Sequence, residues 1–161
     1  MYSNTRSMLV GDIMSHPVIT ADPKDSIKNI AVMMEKHRVG SVVVVDRDNR
    51  PLGILTQGDI VRRMVTKKRL MLRMMFQKVR SVMSKPVLTV GQDKKLEDVA
   101  RHMLQRKVKR LCVVDTDGRL IGIVTDNDVM RHSSELIEVL NEIIDTGYLK
   151  ESGEVGLKLQ E

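Results

Sequence analysis

An α/β fold of two pseudo-symmetric units, each running strand, helix, strand, strand, helix, is what this 161-residue sequence predicts. Three observations carry that expectation. Val10–Met64 aligns on Val79–Ser133 without a gap, and 19 of the 55 paired positions are identical. Each copy holds one stretch with apolar residues at helical spacing, and each holds two β-branched runs around an Asp-rich turn. With two copies of a unit above fifty residues, a solenoid is disfavoured and a pair sharing one core fits better.

Taken in order, residues 1–7 read as a tail and 8–66 as the first unit. "MSHPVIT" and its twin "MSKPVLT" place a Pro ahead of a short apolar run, which suits a loop entering a brief strand. "DSIKNIAVMMEKHRV" then puts Ile27, Ile30, Ala31 and Met34 on one helical face, and "KLEDVARHMLQRKV" repeats this with Leu96, Val99, Ala100 and Met103. "SVVVVD" and "RLCVVD" follow, each closed by an Asp/Asn/Gly turn and a second apolar run, "LGIL" or "IGIV". Such continuous runs predict hairpins buried on both faces. "TQGDIVRR" and "TDNDVMRH" open the last helix of each unit.

Residues 67–78 read as a basic, Met-rich linker helix, 79–133 as the second unit, and 134–161 as an acidic amphipathic helix and tail that breaks at Gly147. From Ile60 to Arg80 there are eight basic residues and no acidic one, whereas from Ser134 onward seven acidic residues face Lys150 and Lys158. Those opposite charges can attract.

Composition narrows the class. Only 2% of residues are aromatic and 12 are Met, so the core must be aliphatic. Cys112, the single cysteine, excludes an intrachain disulfide and a four-Cys zinc site, and its place in "RLCVVD" marks it as a buried hydrophobe. No apolar stretch has membrane-spanning length and the N-terminus lacks the form of a secretory signal, so a cytoplasmic protein is expected.

The repeated Thr-x-x-Asp carries the chemistry. At a strand-to-helix turn, Thr56 and Thr125 suit the N-cap, and Asp59 and Asp128 suit the first turn, where they complement the helix dipole. Capping alone does not require Thr and Asp in both copies, each preceded by a glycine (Gly53, Gly122) that lets something approach the backbone. A helix N-terminus can bind an anion, and a neighbouring carboxylate can accept two sugar hydroxyls. Phosphate plus vicinal diol suggests a nucleotide.

This order of elements, present twice in register, resembles a tandem pair of CBS domains, the regulatory module named after cystathionine β-synthase. It is also similar to the γ subunit of AMP-activated protein kinase, inosine monophosphate dehydrogenase and chloride-channel tails. The resemblance spans residues 8–133. It implies two units packed by their sheets into a disc with two clefts for adenosine-containing ligands such as AMP, ADP, ATP or S-adenosylmethionine. Carried over by position, one cleft uses Thr56 and Asp59 with Met83, Leu88, Val108, Lys109 and Arg110. Its mate uses Thr125 and Asp128 with Met14, Ile19, Val39, Gly40 and Ser41. The resemblance assigns the Asp residues to ribose, the Thr hydroxyls to phosphate or ribose, and the apolar residues to adenine. Lys109 and Arg110 stand where related kinase subunits hold phosphate, so the Asp59 cleft is expected to prefer phosphorylated adenosine.

Other chemistry is weaker. The four histidines are scattered without metal-ligand spacing, and "DTDG" lacks the Glu that a calcium loop needs at its twelfth position. No activated nucleophile, P-loop or G-x-G-x-x-G is present, so no catalysis and no obligatory cofactor are expected. The basic segment 62–80 leaves nucleic-acid binding as the alternative, although Phe76 is its only aromatic platform. A protein target and a homodimer through the Met-rich linker are further expectations, and a membrane partner is not.

Overall fold

The computed structural model of the chain describes residues 7–66 and 71–132. The expected C-terminal helix and tail, residues 1–6, and residues 67–70 of the linker lie outside the described residues. In chain order the elements are α1 (Val10–Ile13), β1 (Thr20–Ala21), α2 (Ile27–His37), β2 (Ser41–Val45), β3 (Pro51–Thr56), α3 (Gln57–Thr66), α4 (Met71–Met75), β4 (Thr89–Gly91), α5 (Leu96–Arg106), β5 (Arg110–Val114), β6 (Leu120–Thr125) and α6 (Asp126–Arg131). A 3-10 turn at Val79–Ser81 precedes β4. The entry strands are short, and α1 was not anticipated from the sequence.

Each unit has one three-stranded sheet, β1-β2-β3 or β4-β5-β6, with the first pair parallel and the second antiparallel. The hairpin turns form because Asp46 and Asp115 fold back on their own loops. Asp46 Oδ1 accepts the N–H groups of Asp48 and Arg50, and Asp115 Oδ1 those of Asp117 and Arg119. Asn49 and Gly118 occupy the same place in the two turns at φ 61 and 78, a conformation that Asn and Gly tolerate best.

Strand alternation sorts the apolar runs onto two faces. Val42, Val44 and Leu55 join Ile27, Ile30 and Met34 of α2 in one core, while Leu111, Val113 and Val124 join Leu96, Val99 and Met103 of α5 in another. The residues between them, Val43 and Cys112, face the opposite sheet and meet Leu120, Ile54 and Ile123 in a third cluster between the units. The pair is thus sealed sheet to sheet. Ser26 caps α2 by accepting the N–H of Asn29 at 3.1 Å.

The repeats and the packing units do not coincide. Met8–Ser15 crosses to the second unit: Val10 is fully buried in the α5 core, its N–H bonds to Lys94 O at 2.9 Å, and Ser15 pairs with Ile123. Reciprocally, Val79 and Val82 are buried in the α2 core, the Val79 N–H bonds to Asp25 O at 2.7 Å, and Ser84 pairs with Ile54. Each copy lends its first segment to the other.

Candidate ligand clefts between the units

The glycines ahead of the Thr-x-x-Asp turns serve this exchange. A Cβ on Gly53 would run into the side chain of Met83, and one on Gly122 into that of Met14. Gly53 and Gly122 therefore make room for a methionine from the other repeat, where the sequence pointed to a ligand. Met83 packs on the α2 core and Met14 on the α5 core.

Beyond Gly53, β3 ends at Thr56 and α3 begins. Asp59 N–H donates to Thr56 Oγ1 at 3.1 Å, while Asp59 Oδ2 accepts the Thr56 N–H at 3.1 Å and its hydroxyl at 2.8 Å. The copy at Thr125 and Asp128 repeats all three bonds at 3.3, 2.8 and 2.7 Å. Because the hydroxyl proton of each Thr is committed to the Asp, the Thr oxygen has only an acceptor position left for a ligand. That suits a ribose hydroxyl and not an ionised phosphate.

Thr56 and Asp59 open on a cavity of about 370 Å³ whose far wall belongs to the other repeat. Leu88, Val108, Lys109 and Arg110 line that wall, together with Ser84, Pro86, Val87 and Cys112, and Ile54 and Arg62 complete the near wall. Six of the seven residues expected for this cleft thus share one cavity, and Met83 is the one that does not. Arg62 was not anticipated. Its Nη2 lies 3.0 Å from Asp59 Oδ1, and the Asp-x-x-Arg spacing of one helical turn was the available signal. Lys109 is exposed and Arg110 half-buried, so the cavity carries three cations against one carboxylate.

Around the residues expected for the mate, the backbone pairings of the first cleft recur. Ser15 beside Ile123 matches Ser84 beside Ile54, and Ile19 accepts the N–H of Val43 as Leu88 accepts that of Cys112. Ile19 and Val39 are half-buried against the α2 core, Gly40 is exposed and Ser41 half-buried. Thr125 and Asp128 stand at the start of α6. Gly40 and Ser41 bring no charge where Lys109 and Arg110 stand in the first cleft, and Arg131, the counterpart of Arg62, forms no ion pair among the described residues.

Elsewhere, the Lys28 ammonium lies over the Phe76 ring, 6.0 Å from its centroid. Among the described residues no group of three or more His, Cys, Asp or Glu is placed to hold a metal ion, and no helix is long and apolar enough to cross a membrane.

Two sheet-packed β-α-β-β-α units, with the Thr56–Asp59 turn of one opening on a cavity walled by the other, define a tandem module with an interdomain cleft. The chain belongs to the CBS-domain family: the family model described as "CBS domain" matches residues 10–66 and 79–135. It is 34% identical over 137 residues to protein MK0525 of Methanopyrus kandleri, covering 85% of this chain and 68% of the relative. Among solved structures it is similar to the CBS domain pair of protein MJ0100 in complex with 5'-methylthioadenosine and S-adenosyl-L-methionine. That match has TM-score 0.68 and 29% identity, over 78% of this chain and 95% of the other. CBSX2 in complex with AMP matches with TM-score 0.67 and 28% identity, over 80% and 98%.

Proposed function

We propose that this chain is a non-catalytic regulatory module that binds adenine nucleotides or other adenosyl ligands, such as AMP, ADP, ATP or S-adenosylmethionine, between its two CBS units. The observation that carries this is the crossed cavity, in which the Thr56–Asp59 turn of one repeat faces Leu88, Val108, Lys109 and Arg110 of the other. A carboxylate for ribose, apolar walls for a base and cations for phosphate are the groups a nucleotide requires. The similar CBS pairs were solved with 5'-methylthioadenosine and S-adenosyl-L-methionine in one case and AMP in the other. The nucleotide would act as a regulatory ligand, with no obligatory cofactor.

The Asp59 cleft, with Lys109 and Arg110, is the one for phosphorylated adenosine, and the Asp128 cleft, with Gly40 and Ser41, suits uncharged adenosyl groups. A homodimer is part of this reading, supported by Leu72 and Phe76, which expose 80% and 68% of their surface. So are a cytoplasmic location and a protein target that reads the ligand state. Ligand can drive such a switch only by binding two conformations unequally.

A thermal-shift screen of AMP, ADP, ATP, S-adenosylmethionine and oligonucleotides tests the proposal. Ligand at a hundredfold its Kd stabilises by about 2.7 kcal/mol. Stabilisation by adenosyl compounds supports it, and stabilisation by oligonucleotides alone would favour the basic segment as a nucleic-acid surface.

A further inference from the structure

We infer that residues 140–144 dock on the face of α5 that carries Ala100 and Leu104, taking in the second unit the place that α4 takes on α2 in the first. The occupant is this chain's own C-terminal segment, and its docking does not depend on the ligand reading of the clefts.

In the first unit one stretch does two jobs. α4 follows α3 and packs on α2, with Met74 buried and Met75 against the α2 core. Gln77 O then accepts the Ile27 N–H at 3.0 Å, and Val79 fills that core. In the second unit the second job falls to the start of the chain: Met8 O accepts the Leu96 N–H at 2.9 Å, and Val10 fills the α5 core. Met8 and Val10 thus stand where Gln77 and Val79 stand. Among the described residues, no helix stands on α5 as α4 stands on α2.

Two stretches of the chain can reach that place, and their sequences decide between them. Continuing the register of the two copies past Ser133 pairs Met71 with Leu140, Met74 with Ile143 and Met75 with Ile144, so the apolar spacing of α4 recurs. Continuing it back from Met8 instead sets Thr5 and Arg6 against Met74 and Met75. Burying an arginine there would cost its solvation, whereas two isoleucines would remove apolar surface from water. Reach is satisfied too, because α6 packs on α5 as α3 packs on α2, and residues 133–161 follow it. The receiving face fits an apolar segment. Ala100 is half-buried like its twin Ala31, and Leu104, 42% exposed, stands where α2 has Glu35. Arg101, where α2 has Val32, adds a cation for a segment that carries Glu138, Glu142 and Asp145.

Isotope-edited NMR of the full-length protein tests this through methyl contacts. Nuclear Overhauser effects from Ile143 or Ile144 to Ala100 or Leu104 are expected, and they should persist when labelled protein is diluted into unlabelled protein. Effects that vanish on dilution would put the segment on a second copy and overturn the inference. It is equally overturned if Ala100 and Leu104 show contacts to residues 2–6 instead, or none to Ile143 and Ile144. The full-length double variant Ile143→Ser with Ile144→Ser should melt about 5–15 °C lower, the loss of two buried apolar side chains from a domain of this size. An unchanged melting temperature would also overturn it.

Discussion

Asn49 and Leu120 grip each other across the two units: the Leu120 N–H donates to Asn49 O at 2.9 Å, and Asn49 Nδ2 donates to Leu120 O at 3.0 Å. The tip of the first hairpin is thereby tied to the start of β6. Its twin position, Gly118, has no side chain with which to return the contact. Asn49→Ala removes the amide and leaves alanine at φ 61, so a loss of about 1–3 kcal/mol is expected. Asn49→Gly removes the amide alone and should cost less. Urea unfolding of both variants measures the difference.

Gly53→Ala should destabilise by about 1–3 kcal/mol, because the new methyl meets Met83 and the buried strand cannot retreat. Met83→Ala added to it should recover part of that loss, giving a non-zero coupling energy in a double-mutant cycle. Strict additivity would mean that the two residues do not share this space.

Burial pushes the Cys112 thiol up to about 12 from its usual 9.0. The folded protein therefore keeps a proton that the unfolded chain releases above pH 9. Full stability holds below that pH and declines as pH rises toward 12, by about 1.4 kcal/mol per unit at most. Cys112→Val, which copies Val43 at the equivalent position, should flatten this part of the pH profile. Denaturation of both proteins between pH 8 and 10.5 compares them, and parallel curves would refute the assignment.

For Lys109→Ala the expected change is a roughly tenfold rise in the Kd for AMP with little change for adenosine, since one charge-assisted phosphate contact is lost. An unchanged AMP titration would remove Lys109 from the site.

Much of this architecture was legible because the duplication let each half vouch for the other. "SVVVVD" read as a strand buried on both faces, and Val42 and Val44 do face α2 while Val43 faces the opposite sheet. Periodicity found Ile27, Ile30 and Met34, and the spacing of Thr56 and Asp59 found the cap. What remained hidden is pairing between copies. Val10 and Val79 align on each other, and alignment tells that they play equal parts without telling in which core. For the same reason Met83 was expected against a ligand, although the glycine that accommodates it stands thirty positions earlier in the chain. Arg62 escaped because its place in a basic run masks the one-turn spacing that pairs it with Asp59.

The swap of opening segments also bears on how this gene could ever be shortened. A half expressed alone would present an unfilled socket and a loose plug of matching shape, so two identical halves should dock on one another as the natural halves do. Carrying both copies in one chain therefore guarantees each core the plug that completes it.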